Sequence, residues 1–103
     1  MTKKKNKEKF DLISRACSVQ DSPETIKNLF GKDFGIDVRD EDGKTPLMFS
    51  AMWASPSVMK FLLEKGADKT IKDKNGYDVF FFVKSSSFPR DEDKKKMLSL
   101  LGD

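Results

Sequence analysis

Residues 40–44 (Asp-Glu-Asp-Gly-Lys) decide the fold, because a near copy, Asp-Lys-Asn-Gly-Tyr, returns 33 positions later at residues 73–77. Residues 26–30 (Ile-Lys-Asn-Leu-Phe) correspond in the same way to residues 59–63 (Met-Lys-Phe-Leu-Leu). Three prolines keep the same interval: Pro23, Pro56 and Pro89. One such pair could arise by chance, but several in one register indicate a chain built from repeated units of this length.

The central unit, residues 40–72, contains start and stop signals for two helices. After a turn at Asp42-Gly43, Thr45-Pro46 provides an N-cap followed by proline at the first helical position. Ser55-Pro56 repeats this signal, and Gly66 ends the second helix as a residue suited to the left-handed conformation. The unit is therefore predicted to be a helix, a tight turn, a second helix and an extended segment.

The flanking units are divergent copies of the central one. The first is predicted to have a helix with the apolar residues Phe10, Leu12, Ile13, Ala16 and Cys17. It has one inserted residue near Val19 and Gln20, and its second helix is expected to start at Ser22-Pro23. In the third unit Asp78 replaces Thr45 as the N-cap, and a final helix is expected to begin near Pro89.

Three such units are about the minimum for a stack that buries enough apolar surface to fold. We expect a single domain, residues 7–103, with repeats at about residues 7–39, 40–72 and 73–103. Residues 1–6 are expected to be a flexible Lys-rich leader. Because residues 1–9 carry a local charge of +4 within a total of +3, the rest of the chain should be close to neutral.

The order Gly-x-Thr-Pro-Leu at residues 43–47 and Leu-Leu-x-x-Gly-Ala-Asp at residues 62–68 resembles an ankyrin repeat. Met48 stands where that family usually has histidine, and Asp78-Val79-Phe80 replaces Thr-Pro-Leu in the third repeat. The resemblance implies an all-α fold, an ankyrin-repeat solenoid of stacked helix–turn–helix units with short β-turn or hairpin tips.

The resemblance also implies that a protein partner docks on a concave face made by the turn tips and the first helices. The corresponding tip residues are Glu41, Asp42, Lys44, Lys72, Lys74, Asn75 and Tyr77. The corresponding helix residues are Met48, Met52, Trp53 and Phe81, with Ser85 and Ser86 nearby. As alternatives, the charged tips could serve solubility alone, Trp53 could be a structural cover, and the Phe88 loop could cover Phe81.

Composition argues against several classes of function. The chain has no histidine and one cysteine, Cys17, so it lacks the commonest general base and cannot form an internal disulfide. It has no phosphate-binding loop, zinc-binding cysteine pair or nucleophile–base set. We therefore expect no enzyme activity, cofactor, metal or small-molecule substrate. A charged start without a secretory segment, together with the lone buried cysteine, favours a cytoplasmic location.

These features predict a non-enzymatic protein–protein interaction module that is monomeric when free. Its small size favours a stand-alone binder that inhibits or regulates its partner, for example an antitoxin-like immunity protein or a regulatory subunit. One alternative is an electrostatic binder of nucleic acid or anionic membrane that uses the Lys-rich leader. Another is that the chain is a fragment of a longer ankyrin array.

Overall fold

A computed structural model describes residues 2–20, 23–24, 26–31, 34–85 and 91–102. Within these ranges the secondary structure is helical, with one isolated β-bridge between Gly31 and Phe34 and no strand. The elements are α1 (Thr2–Arg15), a π-helical turn (Ala16–Gln20), α2 (Pro46–Met52), α3 (Pro56–Glu64), α4 (Val79–Ser85) and α5 (Asp91–Leu101). The predicted all-α class is confirmed. None of these described helices is both long and apolar enough to cross a membrane.

The central repeat forms as its local signals predict. Thr45 is the N-cap of α2, its hydroxyl oxygen accepts from the Met48 N–H at 3.4 Å, and Pro46 is the first helical residue. Pro56 is likewise the first residue of α3, but its N-cap, Ser55, makes no side-chain capping hydrogen bond. Gly66 has φ +90°, and the N–H groups of Gly66 and Ala67 donate to Leu63 and Leu62. This paired hydrogen-bond pattern is the Schellman motif, which closes a helix with a left-handed residue.

The helices pack in two rows. α2 contacts α1 on one side and α4 on the other, and α3 and α5 pack against each other behind them. Small residues at the centre of α2, Ser50 and Ala51, are fully buried and let the neighbouring helices approach closely. The core takes apolar side chains from every repeat, among them Ile13, Leu47, Val58, Leu62, Val79, Val83, Met97 and Leu101.

The first repeat departs from the prediction in its second half. The described residues near Pro23 form turns instead of an α-helix, with N–H groups of Ile26 and Leu29 donating to carbonyls three residues earlier. Ile26 and Phe34 are nevertheless buried. The segment therefore supplies two apolar anchors to the core through turns and the Gly31–Phe34 bridge, without an α-helix. Ser22 lies outside the described residues.

The start of the first repeat also differs. α1 begins at Thr2, so the backbone of residues 2–6 is helical where a flexible leader was expected. Lysine and glutamate favour helices, which explains how a strongly polar segment continues the helix. The π-helical turn at Ala16–Gln20 includes Val19 and Gln20, where the sequence has its extra residue. A wider π-helical turn accommodates one additional residue at the end of α1. At the other end, α5 starts at Asp91, and Pro89 lies outside the described residues.

Candidate protein-binding surface

Two turn tips project from the stack, and one aspartate builds each of them. The Asp40 carboxylate accepts from the N–H groups of Asp42 and Lys44, both at 2.9 Å. Asp73 repeats this arrangement with Asn75 and Tyr77, at 2.9 and 3.0 Å. A carboxylate that bonds its own turn in this way is a structural group, so these two aspartates are turn formers.

The tips are also bonded to each other. The Lys74 N–H donates to the Asp42 carbonyl at 3.0 Å. The Lys44 Nζ lies 3.8 Å from the Asp73 Oδ2, and these two side chains are only 18% and 1% exposed. The Asp73 Oδ2 is buried and accepts no hydrogen bond from the described residues, so the Lys44 charge is its main compensation. Lys44 therefore links the second repeat to the third, a role that the sequence analysis did not predict.

The charges that remain on the tips are divided between the two. Glu41 and Asp42 are exposed on the first tip, and Lys72, Lys74 and Asn75 are exposed on the second. The Asp42 carboxylate lies 4.0 Å from both Lys44 and Lys74, which bridges the two halves. Pairs this exposed contribute little to stability. The first tip is therefore acidic at its surface and the second tip is basic.

An aromatic pair lies where the second tip enters α4. The rings of Tyr77 and Phe81 stack with centroids 3.9 Å apart and planes within 8°. Both remain exposed, at 41% and 40%. The Asp78 carboxylate between them accepts from the Phe81 N–H at 3.0 Å, and this cap holds the first turn of α4 under Tyr77. The structure thus confirms that Phe81 points away from the core; Phe88 lies outside the described residues.

The predicted α2 residues lie in different places. Met48 is 1% exposed and belongs to the core, so its assignment to the binding surface is wrong: the first turn of α2 directs it between the helices. Met52 is half-buried, and Trp53, the C-cap of α2, is 37% exposed. A seven-residue helix is about 10 Å long, so Trp53 and the tips are at opposite ends of α2. Ser85 is exposed, and Ser86 lies outside the described residues.

The sequence analysis missed a cleft beside the first tip. It has a volume of about 310 Å³ and is lined by Lys7, Phe10, Asp11, Arg39, Asp40, Glu41, Asp42 and Phe49. The positions 7, 10 and 11 have the i, i+3, i+4 spacing of one helix face, a signal that was present in the sequence. Across the described part of the chain, no group of three or more acidic or cysteine side chains is arranged to hold a metal ion.

A second loop joins the repeats behind the tips. The Asp68 N–H donates to the Asp37 carboxylate at 2.8 Å, which ties α3 of the second repeat to the end of the first. The hydroxyl and N–H of Thr70 donate to the Asp68 carboxylate at 2.6 and 2.8 Å. These two hydrogen bonds favour the ionised form and lower the pKa of Asp68 below its ordinary value.

Comparison with known proteins agrees with this architecture. A family model for ankyrin repeats in three copies matches residues 2–80. An ankyrin repeat protein of Acanthamoeba polyphaga mimivirus is 29% identical over 73 residues, which cover 71% of this chain and 10% of that protein. This chain therefore spans only a small part of that relative.

The structure also superposes on a chain from the solved complex of a predatory endopeptidase from Bdellovibrio bacteriovorus with an immunity protein. The TM-score is 0.69 at 25% identity, and the match covers 88% of this chain and 45% of that chain. The fold is therefore shared with a protein solved in a complex. Since the repeat model covers most of the chain and the stacked units follow its register, the chain belongs to the ankyrin-repeat family.

Proposed function

We propose that this protein binds another protein across its turn tips and inner helices, and thereby inhibits or regulates that partner without catalysis. The tips and the row α1, α2 and α4 would form the docking face. The protein would be monomeric when free and would act in the cytoplasm. The solved endopeptidase–immunity protein complex supports this role, because the repeat stack of a chain in that complex resembles this one.

The observation that carries the proposal is the exposed stack of Tyr77 on Phe81. Two large aromatic rings in contact with each other remain about two-fifths exposed, although burying them would stabilise the protein. Aromatic side chains held rigidly by their surroundings are typical anchors of protein interfaces. Their stacking and the Asp78 cap fix them before a partner arrives, so little conformational entropy is lost on binding.

The charged tips would orient the partner. Lys72 and Lys74 lie on the same side as the aromatic pair, and Glu41 and Asp42 lie on the other tip. Such a division raises the rate of productive encounters and penalises a reversed orientation. We expect binding to slow as the ionic strength rises, because exposed charges are screened.

Alanine substitutions test the docking surface once a pull-down from native extract and mass spectrometry have identified the partner. Tyr77→Ala and Phe81→Ala should each weaken binding by about 2 kcal/mol or more in calorimetric titrations, the range of interface hot spots. Trp53→Ala tests separately whether the partner also contacts the C-terminal end of α2. Lys60→Ala is the control, because Lys60 is exposed on α3, outside the proposed docking face.

The outcomes separate the candidate functions. If the Tyr77 and Phe81 variants both bind the partner with wild-type affinity, the tip surface is not part of the interface. Deletion of residues 1–6 addresses binding of nucleic acid or membrane through the lysines. If the partner is retained after this deletion, the leader is not the binding element. A loss of function with the urea unfolding midpoint unchanged would instead favour the electrostatic alternative.

A further inference from the structure

The cleft beside the first tip exists because α1 is longer than the other inner helices. α1 has 14 residues, whereas α2 and α4 have seven each. The additional residues extend α1 by about 10 Å. Its residues Lys7, Phe10 and Asp11 form one wall of the cleft, and the tip at residues 39–42 forms the other. The second and third repeats begin with a turn tip at the position that this helical extension occupies.

The floor of the cleft is aromatic and its sides are acidic. The rings of Phe10 and Phe49 lie 5.2 Å apart at 43°, with Phe10 buried and Phe49 half-buried. Four carboxylates line the cleft against two cations, Lys7 and Arg39, so the lining has a net negative charge. The lining can therefore attract one further cation even with Lys7 and Arg39 present.

Two of the four carboxylates are engaged elsewhere. Asp40 bonds its own turn, and Asp42 lies beside Lys44 and Lys74. Asp11 and Glu41 are exposed and form no ion pair within the described part of the chain. One comes from α1 and the other from the tip, so uncommitted negative charge lines both walls.

We propose that this cleft receives a cationic side chain of the protein partner, with arginine favoured over lysine. The aliphatic part of that side chain would lie on the Phe49 floor, and its charged end would bond to Asp11 and Glu41. A planar guanidinium can pair with two carboxylates at once through its fixed set of N–H donors, which explains the preference for arginine over lysine. This inference rests on the proposed function and specifies one chemical requirement of the partner.

Size and chemistry argue for a side chain over other occupants. A volume of about 310 Å³ is at the lower end of the range of ligand pockets, roughly 300–1,000 Å³, and suits one long side chain better than a cofactor. Among the described residues the acidic groups are not arranged to chelate a metal ion. The chain already places lysine ammonium groups over phenylalanine rings, with Lys9 4.9 Å from the centroid of Phe34.

A titration of the full chain with N-acetyl-argininamide tests the proposal without the partner. At millimolar concentrations the compound should shift NMR signals of Phe10, Asp11, Glu41 and Phe49. The uncharged citrulline analogue, which has the same shape, should leave these signals in place. The double variant D11N/E41Q should weaken the arginine response by about tenfold, because it removes both uncommitted charges and leaves the volume unchanged.

A second double variant, E64Q/E92Q, controls for the loss of two negative charges, since both glutamates are exposed and lie on other helices. It should respond as the wild-type chain does. Equal shifts with both compounds, a response that survives in D11N/E41Q, or no shift in the cleft would each overturn the proposal. Any of these results leaves the Tyr77 and Phe81 tests unaffected, so failure of the cleft and failure of the proposed function are distinguishable.

Discussion

At the scale of single residues, two glycines in equivalent positions of the repeat have different surroundings. Gly43 and Gly76 both adopt left-handed backbone angles, φ +80° and +85°. A Cβ at Gly43 would lie 2.9 Å from the backbone nitrogen of Lys74, whereas one at Gly76 would meet nothing within 4 Å. The first position is constrained by conformation and by the neighbouring tip, and the second by conformation alone.

Gly76→Ala should therefore destabilise the protein by about 1 to 2 kcal/mol, the cost of a left-handed side chain. Gly43→Ala should cost a further 1 to 3 kcal/mol, roughly, because the backbone of the next tip must move. Urea unfolding followed by circular dichroism measures both variants. Equal midpoints would show that the tips do not pack as closely as the Lys74–Asp42 hydrogen bond indicates.

Lys44 and Lys74 form a second informative pair. Lys44→Met leaves the buried Asp73 carboxylate without its compensating charge and should cost about 1 to 3 kcal/mol. Lys74→Met removes an exposed pair with Asp42 and should cost less than about 1 kcal/mol. The comparison uses the free energy of unfolding at neutral pH. If the Lys44 variant is as stable as the Lys74 variant, the inter-repeat ion pair has no structural role.

At the scale of helices, N-caps influence where α2 and α4 begin and which side chains α4 exposes. Thr45 and Asp78 occupy equivalent positions, and each accepts a hydrogen bond from the N–H three residues later. Without proline at the first position, α4 depends on its aspartate more than α2 depends on its threonine. The same cap fixes Phe81 against Tyr77, so the display of the aromatic pair follows from a helix start.

Asp78→Ala should lower the free energy of unfolding by about 1 kcal/mol through loss of the cap. It should also loosen the stack, because the first turn of α4 frays. The ring-current shifts of Tyr77 and Phe81 in NMR spectra report this directly. Asp78→Ser restores a capping oxygen and should return both properties toward those of the wild-type chain. Unchanged shifts in the alanine variant would mean that packing alone holds the rings.

At the scale of the whole molecule, the two rows of helices make the three repeats one cooperative unit. α3 of the central repeat packs on α5 of the last, and the Lys69 Nζ donates to the Leu101 carbonyl at 2.6 Å. Each repeat contacts only its neighbours, so stability depends on these interfaces. Met97 in α5 is fully buried. In chain order α4 separates α5 from α3.

Met97→Ala should cost about 2 to 5 kcal/mol, as for other buried large-to-small substitutions. The loss should appear equally in far-ultraviolet circular dichroism and in the fluorescence of Trp53, which lies in the central repeat. Coincident transitions are expected for a single cooperative domain. A fluorescence transition that stays in place while the circular dichroism transition moves would show that the last repeat unfolds by itself.

The sequence was sufficient for the features that depend on neighbouring residues. The 33-residue interval, the caps at Thr45 and Asp78 and the left-handed Gly66 were all predicted and are present. Each depends on hydrogen bonds or backbone angles within a few residues. The exposure of Phe81 is consistent with helical periodicity, because four consecutive apolar residues of α4 cannot share one face.

Contacts between distant segments decided the rest. The burial of Met48, the link from Lys44 to Asp73 and the cleft between Lys7 and Glu41 each depend on side chains that meet only when the repeats stack. Turns near Ile26 stand where a helix was predicted, and they still bury Ile26, so this segment reaches the core without the helix that its local sequence favours. By itself the sequence determined the repeat and its local geometry, since those forces act over one turn. Only packing determined which charges are compensated and which remain for a partner, because a charge's environment is set by the repeats beside it.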